Sequence, residues 1–111
     1  MTEFDEAEWI KQVSGWGYDI KDCPNQTEAI CFAAVQRQAA SIVYIKNPSE
    51  KVQRLAVQKY GSTIKYITKP SDEIIEIAFN TFLEHGYSNE WLVKWFDIRN
   101  IPVPFHIRLA E

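Results

Sequence analysis

The sequence is poor in the residues that most often carry chemistry. Of its 111 residues only two are cysteine, two histidine, one methionine and four glycine. Cys23 and Cys31 form no Cys-x-x-Cys pair, and neither His85 nor His106 stands near them. A structural zinc site needs four ligands, commonly including such a short pair. The two cysteines are therefore read as one buried small hydrophobe, Cys31 within Ile30-Cys31-Phe32-Ala33-Ala34, and one loop thiol, Cys23. A Cys–His nucleophilic pair would have to assemble in space from Cys23 and one of the histidines, and nothing local supports it. Gly15, Gly17, Gly61 and Gly86 are too scattered to make a phosphate-cradling loop. The expectation is no metal, no cofactor and no enzymatic activity.

Other absences narrow the class further. No apolar run approaches the ~20 residues of a membrane span, so no membrane partner is expected. The opening Met1-Thr2-Glu3-Phe4-Asp5-Glu6 has the wrong charge for a signal peptide, which points to a cytoplasmic protein. Twelve Lys+Arg against fifteen Asp+Glu give a net charge of −3. That balance argues against a nucleic-acid binder acting through bulk charge. With 46% hydrophobic residues the chain has enough apolar material for one packed domain, 1–111, without a staple.

What the chain does have is an internal repeat, the signature of a stacked architecture. When residues 26–47 are laid on 48–69, seven of the 22 pairs are identical: Glu28/Glu50, Ala34/Ala56, Val35/Val57, Gln36/Gln58, Ile42/Ile64, Tyr44/Tyr66 and Ile45/Ile67. A further copy opens at Pro70-Ser71-Asp72 and diverges after Phe82. A weaker upstream match sets Gln12, Gly15 and Pro24 on Gln58, Gly61 and Pro70.

Each unit reads as a helical hairpin. Pro48-Ser49-Glu50, Pro70-Ser71-Asp72-Glu73, Thr27-Glu28 and Ser88-Asn89-Glu90 are helix starts, with a hydroxyl to cap free amides and an acid for the positive helix end. Val52, Leu55, Ala56 and Tyr60 then fall on one helical face. Ser62-Thr63-Ile64-Lys65-Tyr66-Ile67 is rich in β-formers but has to return the chain to the next start within about nine residues, so it is read as a second, short helix. Ala34, Ala56 and Ala78 share one register, where a small residue lets neighbouring helices approach closely.

Ala34-Val35-Gln36, Ala56-Val57-Gln58-Lys59-Tyr60-Gly61, Ile64-Lys65-Tyr66-Ile67 and Asn47-Pro48-Ser49-Glu50 resemble a family of short α-helical repeats of uncharacterised function. Such repeats occur, often in tandem, in bacterial, bacteriophage and giant-virus proteins. The resemblance covers about residues 24–82. It implies an α-hairpin array and, more distantly, an origin in a phage, prophage or similar mobile element.

The fold expected is all-α: a small α-solenoid-like array of stacked helical hairpins. An N-terminal cap spans 1–24, repeats span 25–47, 48–69 and 70–87, a capping helix spans 88–97 and an extended tail spans 98–111. All four tryptophans lie in the flanks. Trp9, Ile10 and Val13 mark one face of a front helix, and Trp91, Leu92, Trp95 and Phe96 a stripe on the last. The tail, Ile101-Pro102-Val103-Pro104-Phe105-His106-Ile107-Arg108-Leu109, alternates apolar and other residues, the period of a strand. It either packs on its own core, adds to a partner's sheet edge, or pairs with Trp16-Gly17-Tyr18-Asp19-Ile20. The last option defines an alternative α+β fold with a two-stranded element from 16–20 and 101–109.

Stacked hairpins present a ribbed surface used more often for protein binding than for catalysis. The expected role is a non-enzymatic protein–protein interaction module, and the phage resemblance extends it to an inhibitor of a host defence protein. The candidate binding residues are Arg37, Lys46, Lys59 and Lys65 at solvent-facing repeat positions, with Trp16, Tyr18 and Phe105 from the flanks. Tyr44 and Tyr66 recur and are explained equally well by rings in the core with hydroxyls at the rim. The alternative is a nucleic-acid-associated protein using a local basic face at residues 46–69, from Lys46, Lys51, Arg54, Lys59, Lys65 and Lys69. A homodimer closing an incomplete array end is a further option.

Overall fold

The structure, a computed structural model, describes residues 4–108. The described residues are all-helical, and no helix among them is long and apolar enough to cross a membrane. Four long helices, α1 (Glu6–Gly15), α2 (Glu28–Arg37), α3 (Glu50–Lys59) and α4 (Asp72–Glu84), begin at intervals of 22 residues. The first three are each followed, after one extended residue, by a 3-10 helix: Gly17–Asp22, Ala39–Tyr44 and Gly61–Tyr66. Helix α5 (Asn89–Ile98) and the single turn α6 (Phe105–Arg108) complete the chain. Each long helix packs on the next, producing a rod of 57 × 23 × 19 Å.

Local chemistry sets the repeat. Asp5, Thr27, Ser49, Ser71 and Ser88 each accept a hydrogen bond from the backbone N–H three residues on, at 3.2 or 3.3 Å. One orphan donor at each helix start is thereby satisfied. Helices α1, α2 and α3 end where Trp16, Gln38 and Tyr60 turn extended, with φ between −149 and −145, while their N–H still donates to the carbonyl four residues back. The short segments are 3-10 helices because their apolar residues recur every third position. Gly17, Ile20 and Cys23 are buried, as are Ala39, Ile42 and Ile45, and Gly61, Ile64 and Ile67.

The joints between units are made by small residues. A Cβ placed on Gly17 would lie 2.5 Å from the carbonyl oxygen of Ala34, and one on Gly61 would lie 2.6 Å from that of Ala78. The opening residue of each of these 3-10 helices thus rests against the backbone of the following long helix. Ala34, Ala56 and Ala78 are fully buried, as a joint of that closeness requires. The column Gly17, Ala39, Gly61 continues as Leu83, and there the array stops. A leucine cannot make the same approach, α4 runs on to Glu84, and Gly86 at φ +92 turns the chain toward α5.

Several expectations change here. The weak upstream copy is a full unit, but two residues out of the expected register: Gly17, not Gly15, stands at the position of Gly61. The two-stranded α+β alternative does not form among the described residues, since Gly17–Asp22 is a 3-10 helix and Phe105–Arg108 an α-turn. The tail is extended only over 101–104, and Leu109 lies outside the described residues. Ile107 donates its N–H to the Pro104 carbonyl at 3.0 Å, which winds the turn that alternation hid. Ile101, Val103 and Ile107 are buried in the common core, so the tail packs on its own chain. Cys23 is no loop thiol but occupies the core position of Ile45 and Ile67. Tyr60 leaves the apolar face of its helix and is 61% exposed. Tyr44 and Tyr66 are likewise exposed rather than having their rings in the core.

At the far end Leu92 and Phe96 of α5 are fully buried, while Trp91 is largely exposed and Trp95 half-buried. The Phe82 ring stands edge-on to Trp95 at 5.0 Å and to Phe96 at 6.1 Å. Large rings there seal the face that a further repeat would otherwise cover.

Two glycines in different units should respond oppositely to the same change. Gly61→Ala forces a methyl against the Ala78 carbonyl and the Phe82 ring, and is expected to cost about 1–3 kcal/mol in urea unfolding. Gly15→Ala meets nothing within 4 Å and should stabilise by about 0.4–1 kcal/mol. A chain ending at Asn100 forfeits burial of Ile101, Val103 and Ile107, at about 1.5–3 kcal/mol per side chain. Its melting temperature should fall by many degrees; an unchanged value would mean that the tail does not hold the core.

Candidate functional site

The helix ends and 3-10 helices of adjacent units do not fill the surface between them. They leave a cleft of about 320 Å³ that touches three successive units. Tyr18 comes from the first unit, Arg37 to Ala40 from the second, and Lys59, Tyr60, Ser62, Thr63, Lys65 and Tyr66 from the third. The cleft exists because of how Tyr60 sits. At Gly17 the following unit offers Gln38, whose Oε1 accepts from the Gly17 N–H at 2.6 Å. At Gly61 it offers Phe82, folded inward and buried. At Ala39 the corresponding residue is Tyr60, which swings into solvent and leaves the wall open.

Arg37 and Lys59 stand in the last turns of α2 and α3. There a cation interacts favourably with the negative helix end, so both charges have a structural reason to be present as well as a place in the cleft. Lys65 projects from the third 3-10 helix with its Nζ 5.2 Å from the centre of the Tyr66 ring. Among the described residues no carboxylate lines the cleft. Three cations, three phenols and the hydroxyls of Ser62 and Thr63 converge on one depression, suited to an anionic group that also offers a flat or apolar face.

The seven sequence-derived site residues divide accordingly. Arg37, Lys59, Lys65 and Tyr18 line the cleft together. Trp16 adjoins it, 52% exposed and edge-on to Tyr18 at 5.2 Å. Tyr18 in turn meets Tyr44 at 6.0 Å, extending an aromatic row along the 3-10 helices. Lys46 lies elsewhere, in a separate depression with Cys23, Pro24, Asn25 and Gln26, where its N–H donates to Gln26 Oε1 at 3.1 Å. Phe105 is 75% exposed on the C-terminal turn and belongs to neither depression. Sequence reasoning missed Tyr60 and Tyr66 as cleft residues. The recurrence of Tyr66 with Tyr44 was visible, but the outward turn of Tyr60 follows from the extended backbone at that residue, which periodicity does not report.

The basic residues of 46–69 divide, with Lys59 and Lys65 in the cleft and Lys46 in the separate depression. Arg54 pairs with Glu73, and the Lys51 Nζ sits 4.9 Å over the Phe32 ring. Lys69, at φ 50, lines another groove beside the tail.

The two thiols are held away from reactivity. Burial, then the neighbouring Cys23 and Glu28, push Cys31 up from an ordinary 9.0 to about 11, and burial raises Cys23 as well. Their Sγ–H groups donate to the Gln26 and Asn25 carbonyls. Because the thiolate is the reacting form, both cysteines should resist a thiol-disulfide reagent at neutral pH in the folded protein and react at once in denaturant. The raised folded value also sets a sign: the stability it confers is intact below about pH 9 and is lost as pH climbs through 11. Cys31→Val should therefore lose less stability than the parent across that window. A fast native reaction of both thiols would contradict the burial.

Comparison with known proteins adds no relative: no family model, no curated protein and no solved structure matches the chain.

Proposed function

We propose that this chain is a non-enzymatic protein–protein interaction module that engages its partner through the 3-10 face of its repeat array. The observation that carries the reading is the cleft itself. Four side chains selected as solvent-facing repeat or flank residues converge there from three separate units, and the exposed aromatic row of Trp16, Tyr18 and Tyr44 continues it. Exposed tyrosine, tryptophan and arginine are the residue types that dominate binding energy at protein interfaces. The dispersal of Lys46, Lys51 and Arg54 away from the cleft favours this reading over a nucleic-acid face. The repeat resemblance extends it one step further, to a phage or mobile-element protein that blocks a host defence component by occupying its surface.

Affinity purification of a tagged chain from its native host, with nuclease treatment, tests the proposal. One stoichiometric protein should be recovered and survive the nuclease. The Trp16→Ala/Tyr18→Ala double variant should recover at least about tenfold less of it, as loss of two hot-spot rings implies. Phe105→Ala should recover it undiminished. Recovery of nuclease-sensitive material alone, or a double variant that captures as well as the parent, would overturn the reading.

A further inference from the structure

A second groove, of about 580 Å³, runs beside the first. It lies between the third 3-10 helix and the start of the tail, and its cations are Lys65, Lys69 and Arg99. Lys65 lines both depressions, so they share a wall and together hold Arg37, Lys59, Lys65, Lys69 and Arg99. Among the described residues no carboxylate lines either groove. Arg99 is held in place: its guanidinium lies 3.9 Å over the Trp95 ring, and its Nη1 donates to the Trp95 carbonyl at 3.3 Å.

The charge balance makes this concentration unusual. Among the residues whose side chains are described, five of eleven cations line the two grooves, which leaves six against thirteen carboxylates elsewhere. An acidic molecule has gathered its positive charge into one track. Elsewhere on the described chain carboxylates outnumber cations, among them Glu6 and Glu8 at the start of α1 and Asp72 and Glu73 at the start of α4.

We infer that this track seats a short acidic segment of a partner polypeptide, bound in extended form from Arg37 to Arg99. The inference rests on the interaction-module reading and names the chemistry of what the module binds. Complementary charge selects an anionic occupant. The net negative charge of the rest of the molecule limits its length, because a polynucleotide carries charge at every residue and would run on past the track onto a surface where carboxylates outnumber cations. A peptide can confine its aspartates and glutamates to the track and continue as neutral chain. The exposed Tyr60 and Tyr66 rings beside the cations then offer flat surface to the residues between its acids.

Fluorescence polarisation at low salt would test this with a labelled oligoglutamate peptide, an oligolysine of equal length and an oligothymidylate of equal charge. The oligoglutamate should bind saturably and more tightly than the oligothymidylate, weaken with added salt, and leave the oligolysine unbound. Lys65→Glu, at the shared wall, should weaken it by ~10-fold or more, about 1.4 kcal/mol. Lys51→Glu, which alters net charge equally outside the track, should weaken it less than ~2-fold. Circular dichroism melting confirms that both variants are folded. Absence of saturable oligoglutamate binding, tighter oligothymidylate binding, or equal effects of the two variants would overturn the inference. If it fails while nuclease-resistant capture of a partner persists, the interaction module stands and only the acidic-segment assignment falls.

Discussion

The approach of the first residue of one unit's 3-10 helix to a backbone carbonyl in the next unit's long helix is the constraint on which the array depends. That contact has room for hydrogen at Gly17 and Gly61 and for a methyl at Ala39, and it ends at Leu83. Close backbone packing is what lets units as short as 22 residues bury a continuous core, because each alone has too little apolar surface to stand. The core accordingly runs from Val13 in α1 to Ile107 in the tail without a break. The ends obey the same demand from the other direction. Trp9 and Ile10 half-cover the first face, and Phe82, Trp95 and Phe96 close the last.

The cleft is a by-product of how that joint is completed. Positions 38, 60 and 82 follow one another in register, and each decides what happens beside the small residue it faces. Gln38 caps Gly17 with a hydrogen bond, Phe82 packs over Gly61, and Tyr60 does neither. One outward tyrosine converts a sealed joint into a cleft, and the cations that helix ends favour for their own electrostatic reasons become its lining. A structural role and the proposed binding role thus coincide at Arg37 and Lys59, so neither explanation displaces the other.

Much of this was legible in the residues. The capping hydroxyls of Thr27, Ser49, Ser71 and Ser88 marked four of the five capped helix starts, because side-chain capping is a local interaction written in adjacent positions. The alanine register located the joints for the same reason. Asp5 escaped notice because the first unit is matched by the size of its residues rather than by their identity. Gly15 attracted the alignment as a glycine, whereas the joint asks only for a small side chain, which Gly17 and Ala39 both satisfy. The 3-10 segments and the tail were harder. Over five residues, burial at every second and at every third position differ by one side chain, and β-branched residues such as Thr63 and Ile64 tip propensity toward strand. Tertiary packing of Gly61, Ile64 and Ile67 on one side settles the matter, and no local signal carries it.

Charge placement was the least legible property, and it is the one that gives the surface its character. Counted along the chain, the lysines of 46–69 look like one patch, yet Lys51 lies over Phe32 and Arg54 turns to Glu73. Counted in space, a different set gathers: Arg37 from one unit, Lys59, Lys65 and Lys69 from the next, and Arg99 from beyond the array. Only folding brings Arg99 to Lys65, through a tail whose Ile101 is buried in the core and whose Pro102 lines the same groove. The tail therefore does two things with one set of contacts. Its apolar residues close the core, and its entry from α5 completes a positive track on a negative molecule. The proposed acidic-segment site therefore depends less on any one repeat unit than on the element that crosses the end of the array.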